Sequence, residues 1–349
     1  MQKHIGDMSQ IAGLKRYVFT EGKAKGIDAI DVKTGSGLSF TVLPGRGMDI
    51  AWAEYKGISF GYISKTGIVS PLYYESKNLE WLRTFFAGLL TTCGLLNVGP
   101  SSEEEHPVLG NRHFGLHGRI SNMAAEQVSA VESWDGGDFK MTISGRMREA
   151  MLHGENLVLK RTITSSLGAK SFLIQDIIEN ESLNDQPIMI LYHINVGYPV
   201  IDENSFFACN SKTITPANKR SIDTKELYQQ MQTPVKNEPE HLFFHDVKTD
   251  AAGKAYCAII NPLLEFGVFI KYDKAQLPYF SQWKMMAEAE YVLGMEPGNC
   301  NPVGRASVKK NNTLECLKAG AKKEIQFEIG ILDTKEAINE FLKTLDSLK

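Results

Sequence analysis

Apolar and polar residues alternate with a period of two along most of this chain. The run "LSFTV" sets Leu38, Phe40 and Val42 on one side, and "NLVLKRTI" does the same with Leu157, Leu159 and Ile163. "GVFIKY" offers Val268, Ile270 and Tyr272, and "EIQFEIGIL" offers Ile325, Phe327, Ile329 and Ile331. Such alternation predicts strands with one buried face. Clusters of Gly, Asn, Asp and Pro ("KTGSG", "WDGGD", "ENESLNDQP") separate the runs, as hairpin loops require.

Two stretches carry helical spacing instead. "KNLEWLRTFFAGLL" places Leu79, Leu82, Phe86 and Leu89 three and four residues apart, which predicts a helix with one apolar stripe. The tail "DTKEAINEFLKTLDSLK" opens with Asp333 and Glu336 in capping-box spacing and then repeats Ile338, Phe341, Leu342 and Leu345. Neither alternates with strands in a βαβ rhythm, which argues against a doubly wound sheet. With no internal repeat and no linker, residues 1–349 are expected to form one domain: all-β, a large antiparallel β-sandwich with a few peripheral helices.

Charge narrows the function classes. The 349 residues hold 38 basic and 41 acidic side chains, a formal charge of −3, so there is no electrostatic footprint for nucleic acid or an acidic membrane surface. No run approaches the ~18 apolar residues of a membrane-spanning helix, and "MQKHIGDMSQIAGLKRY" lacks the apolar core of a signal peptide. The five cysteines (Cys93, Cys209, Cys257, Cys300, Cys316) form no Cys-x-x-Cys pair and read as reduced thiols. The expectation is a cytoplasmic protein, monomer or homodimer, whose partner is a small molecule.

Three polar clusters interrupt the apolar pattern. In "NRHFGLHGRISN", His113 and His117 are four residues apart, but Gly115 and Gly118 spoil a helix. On a strand the two would be ~13 Å apart, too far for one ion, so no metal site is expected. In "PIMILYHINVGYP", His193 and Asn195 share one strand face while Tyr192, Ile194 and Val196 take the other. In "AEYVLGMEPGNCNP", Glu296 ends an apolar strand; Cys300 has no histidine beside it and reads poorly as a nucleophile. Two further groups are "LPGRGMDI", with Arg46 and Asp49, and "LPYFSQWKMM". There Trp283, read as lying on a loop, joins Gln282 and Lys284 as an aromatic platform with flanking donors, the combination a sugar needs.

Taken in order, "FGLHGRISN", "LYHINVGYP" and "GMEPGNCNP" resemble the aldose 1-epimerase (galactose mutarotase-like) superfamily. The resemblance extends through "LPGRGMDI" and "LLTTCGLLNVG" and is strongest to a bacterial subgroup that includes deoxyribose mutarotase-like proteins. It implies a β-supersandwich that interconverts α and β anomers of a free aldose without metal or cofactor. It assigns His193 as general acid, Glu296 as general base, and His117 as a sugar contact near the ring. Two departures stand out: Tyr192 replaces the usual Asn before the strand histidine, and the Tyr-Phe after it is lost. The early Asn-Arg signature is absent, leaving Arg46 or Arg119 to supply that cation, and the sugar-binding aspartate is open between Asp246 and Asp273. Asn195, Gln282, Trp283 and Lys284 complete the expected sugar contacts. Reference pKa values of about 4.3 and 6.5 would leave Glu296 ionised at pH 7 and about a quarter of His193 protonated, with an acidic or carbonyl partner expected beside His193. A non-catalytic carbohydrate-binding protein and a related sugar isomerase are the alternatives.

Overall fold

The computed structural model describes residues 2–348. Its main strands are β1 (Gly13–Val18), β2 (Asp28–Lys33), β3 (Leu38–Leu43), β4 (Asp49–Tyr55), β5 (Leu90–Leu95), β6 (Glu126–Asp135), β7 (Asp138–Ala150), β8 (Asn156–Ser166) and β9 (Ser171–Asn180). They continue with β10 (Met189–Gly197), β11 (Phe206–Cys209), β12 (Ser211–Pro216), β13 (His241–Val247), β14 (Lys254–Asn261), β15 (Phe266–Asp273), β16 (Tyr279–Ala287), β17 (Glu290–Gly298) and β18 (Lys322–Leu332). One sheet runs β1-β2-β3-β4-β5-β10-β17-β16-β13-β12, with Ile58–Ser59 pairing on β4. The other runs β6-β7-β8-β9-β18-β15-β14-β11. All of these pairings are antiparallel.

The alternating runs supply the layer between the sheets. Phe40 of β3 stacks on Phe172 of β9 with ring centroids 4.2 Å apart. Leu38, Val42, Leu157, Leu159, Ile163, Val268, Ile270, Tyr272, Ile325, Phe327, Ile329 and Ile331 all join the same apolar cluster. This is the large antiparallel sandwich that the period-two pattern predicts.

One inward position breaks the pattern. Arg161, between Leu159 and Ile163 on β8, is fully buried. Its guanidinium donates to both oxygens of Asp176 (2.9 and 2.7 Å) and to Asp49 Oδ1 at 3.1 Å. Tyr192 donates to Asp176 at 2.7 Å and Thr92 Oγ1 to Asp49 at 2.6 Å. The network therefore ties β8 and β9 to β4, β5 and β10, directly beneath the residue that precedes His193. Burying these charges is tolerable because each has a partner.

The helical expectation for "KNLEWLRTFFAGLL" fails. The segment makes a short 3₁₀ turn at Glu80–Arg83 and then a two-residue strand at Ala87–Gly88. Thr84 Oγ1 bonds back to the Trp81 carbonyl, and both Ala87 and Gly88 take positive φ, which ends any helix. Of the expected stripe Leu79 and Leu82 are exposed, while Phe86 and Leu89 are buried together with Trp81. The tail helix α3 (Lys335–Ser347) does form and buries Ile338, Phe341 and Leu345. Its cap is Thr334, which accepts from Ala337 N, while Asp333 binds Tyr55 and Lys170. Preceding α3 are two short helices, α1 (Lys219–Asp223) and α2 (Arg305–Lys310). No helix among the described residues is long and apolar enough to cross a membrane.

Candidate active site

β10 and β17 lie side by side, with Asn195 paired to Gly294 and Ile194 to Met295. Tyr192, Ile194 and Val196 enter the core, so His193 and Asn195 turn to the outer face. Glu296 faces the same way from β17. His193 Nε2 and Glu296 Oε1 are 3.0 Å apart, in a setting that leaves the two residues 5% and 2% exposed. The contact depends on Gly294: a Cβ there would stand 2.6 Å from Glu296 Oε1 and 3.2 Å from His193 Cε1.

Hydrogen bonds fix the tautomer of His193. The Asn195 amide nitrogen donates to the carbonyls of His193 (2.9 Å) and Ala87 (3.3 Å). Its oxygen therefore faces His193 Nδ1 at 2.5 Å, and Nδ1 must carry the hydrogen. Nε2 is left without a hydrogen of its own, 3.0 Å from a carboxyl oxygen. Burial pushes His193 down to about 3, with His117 nearby acting in the same direction. Burial also drives Glu296 well above the ordinary glutamate range, helped by Glu240. Both shifts favour a neutral imidazole beside a protonated carboxyl. This reverses the protonation expected from reference values, because desolvation outweighs the attraction between the charged forms. Despite this approach Glu296 Oε1 makes no hydrogen bond among the described residues, and neither does Ser281 Oγ; Ser281 pairs with Glu296 across β16 and β17.

Aromatic rings wall this pair. Trp283 on β16 lies 5.2 Å from the His193 ring, and Phe85 lies 5.3 Å from it. Phe85 stacks on Trp81 at 4.7 Å, and Trp81 approaches His117 at 4.8 Å. His117 is 6.2 Å from His193 and sits in a tight turn with φ of 53°. Its Nδ1 accepts from Gly99 N at 3.4 Å, and burial lowers its pKa to about 4. A neutral ring with Nδ1 accepting keeps Nε2–H as a donor. The next residue must be glycine, since a Cβ on Gly118 would meet the Gly94 carbonyl at 2.1 Å.

The other sequence candidates are distributed elsewhere. Trp283 is within a strand, not on a loop, so Gln282 and Lys284 necessarily point to the opposite face. Gln282 bonds His245 and the Tyr228 carbonyl, and the Lys284 ammonium bonds the carbonyls of Leu227 and Gln230. Arg46 is buried beneath Phe86 and donates to the carbonyls of Ser121, Val69 and Thr84, acting as a staple between loops. Arg119 is exposed over the Tyr74 ring and lines a separate 460 Å³ cavity with Arg112 and Glu149. Asp246 and Asp273 pair with Lys274 and Lys254. His113 meets the Ser76 carbonyl, away from His117. Cys300 is buried, with its thiol pushed up to about 12. Sequence reasoning missed Trp81, Phe85, Ser281, Gly294 and Glu240, whose carboxylate accepts from the Trp283 indole at 2.9 Å. Ser281 was legible as the same-face neighbour of Trp283; the others required the fold.

Residues 24–331 match the profile of a Domain of unknown function, DUF4432. The chain belongs to the DUF4432 family. No curated protein matches it. This DUF4432 chain superposes on a Klebsiella pneumoniae protein provisionally described as an aldose 1-epimerase with a TM-score of 0.90 at 22% identity, over 99% of this chain and 90% of that one. It also matches a galactose mutarotase-like protein of Clostridium acetobutylicum (TM-score 0.59, 14% identity, 93% and 100% covered). A galactose 1-epimerase of Lactobacillus acidophilus gives the same TM-score, 0.59, at 13% identity over 93% and 99% of the two chains. The DUF4432 chain therefore has the galactose mutarotase-like β-sandwich fold.

Proposed function

We propose that the protein is an aldose 1-epimerase, interconverting the anomers of a free aldose through His193 and Glu296. The observation that carries this reading is the 3.0 Å approach of a buried imidazole nitrogen to a buried carboxyl oxygen, with the imidazole tautomer fixed by Asn195. Mutarotation needs that inventory and no more. One group takes the proton of the anomeric hydroxyl while the other gives a proton to the ring oxygen. The bond between the anomeric carbon and the ring oxygen breaks, and the open aldehyde forms. After rotation about the first carbon–carbon bond the ring closes on the opposite face, and the proton transfers reverse. With the proton starting on Glu296, the carboxyl is the donor and His193 Nε2 the acceptor; with it starting on His193, the roles exchange. Both states have the same total charge, so the pair serves either direction. Each proton transfer contributes about 10²–10⁴-fold.

Trp283 and Phe85 offer apolar surface to the C–H edges of a pyranose or furanose, and His117 offers a donor to an oxygen near the ring. The test is anomer equilibration of freshly dissolved aldoses, followed by polarimetry or exchange NMR. Deoxyribose, galactose and glucose head the panel. Acceleration of one or more, abolished in Glu296→Gln, is expected. Binding of a sugar without acceleration of any would replace this reading with a non-catalytic carbohydrate-binding protein.

A further inference from the structure

Cys209 of β11 and Cys257 of β14 are directly opposed on antiparallel strands, and their Sγ atoms are 3.1 Å apart. Both are free thiols. Cys257 is fully buried, while Cys209 is half-buried on β11, the edge strand of its sheet. Opposed residues of an antiparallel pair have Cα atoms about 4.5–5.5 Å apart, inside the roughly 4.4–6.8 Å that a disulfide spans. The sulfurs need to close by only about 1 Å to bond.

Cys209 also has a route for its proton. Its Sγ lies 3.5 Å from Ser211 Oγ, which lies 3.1 Å from His245 Nδ1. Gln282 donates its amide hydrogen to the Tyr228 carbonyl, so its oxygen faces His245 Nε2 at 3.1 Å. Nε2 therefore carries the imidazole hydrogen, and Nδ1 has an open lone pair. The chain runs in one direction, from the Cys209 thiol to Ser211 to His245.

We propose that Cys209 and Cys257 form a reversible redox pair, oxidised by a peroxide to a disulfide that fastens the edge strand β11 to β14. Cys209 reacts first because it is the accessible member. Its thiolate attacks a peroxide oxygen, the O–O bond breaks, and Cys209 sulfenic acid forms. The Cys257 sulfur then attacks the sulfenic sulfur and expels water. In total two thiols and one hydrogen peroxide give one disulfide and two waters, and an external thiol reverses the bond. An oxidisable thiol beside a resolving cysteine is the arrangement such chemistry requires.

The experiment uses full-length protein carrying Cys316→Ser, which removes the exposed thiol. Native protein is treated with hydrogen peroxide, quenched with an alkylating reagent, unfolded, and mapped by mass spectrometry. The four remaining thiols should fall to two, with Cys209 and Cys257 in one linked peptide pair and dithiothreitol restoring both. Cys257→Ser should instead leave a Cys209 sulfenic acid that dimedone traps. Ser211→Ala should slow disulfide formation severalfold, and an unchanged rate would overturn the relay. Four intact thiols after peroxide, or over-oxidation of Cys209 with Cys257 still free, would overturn the pair itself.

Discussion

Asn195 Oδ1 holds His193 Nδ1 from one side while Glu296 Oε1 stands 3.0 Å from Nε2 on the other. The amide thereby fixes the tautomer and leaves Nε2 as the ring nitrogen that meets the carboxyl. The proposed proton exchange follows from this relationship.

Glu296→Gln keeps shape and removes the proton-carrying oxygen. Turnover should fall by roughly 10²-fold or more while sugar binding survives. His193→Asn should act alike, and the double variant should lose less than the product of the single losses, since both serve one exchange. Near wild-type anomerisation by Glu296→Gln, measured by polarimetry, would leave the carboxyl without a catalytic role.

The pH profile should lack an inflection at the ordinary histidine value of about 6.5. With His193 held down to about 3, the pair gains a second proton only near that pH, so the acid limb belongs there. The alkaline limb is loss of the carboxyl proton, which Glu296 releases only above the usual glutamate range. These limbs belong to the pair rather than to either residue. An acid limb of kcat/KM centred near pH 6.5 (about the reference value) that vanishes in His193→Asn would contradict the dry-pair description.

Gly294→Ala tests the space between the two groups. The new methyl meets the movable end of Glu296, not backbone, so the carboxyl should swing away from His193. The expected result is a kcat lowered by roughly tenfold or more with little change in Tm. Unchanged kcat would mean the contact distance does not matter.

Trp283→Ala should raise KM for the sugar more than it lowers kcat, since the ring is a wall and not a proton carrier. Trp283→Phe keeps a wall but loses the bond to Glu240 and should fall between the two. Fluorescence of a variant whose only tryptophan is Trp283 should change on saturation with substrate; a silent signal would remove this ring from the site.

Arg161→Met should destabilise the fold by about 3–5 kcal/mol in urea unfolding, because Asp176 and Asp49 would be left buried without their cation. A loss below about 1 kcal/mol would show that the network behaves like an exposed ion pair.

Period two was enough to read the sandwich from the sequence, because a strand half-buried in a two-layer core must alternate, as Leu38, Phe40 and Val42 do. The same rule made His193 and Asn195 legible as a polar pair on one face. In a strand the same rule sets Gln282 and Lys284 of "SQWK" on the face opposite Trp283, so a loop reading of that segment grouped side chains that diverge. Neighbourhood across strands was beyond that rule. The separation of Glu296 from His193 is set by the pairing of β10 with β17, and register is a property of two segments distant in sequence. Protonation was equally hidden, since reference values describe groups in water, and only packing around His193 and Glu296 removes the water. The segment at 77–90 misled for a related reason: its apolar spacing suits a helix, yet Trp81 and Phe85 find deeper contacts with His117 and His193 in an irregular turn. Alternation along the chain determined which face each side chain takes, while the tertiary structure decided which faces meet, because that depends on contacts no local pattern encodes.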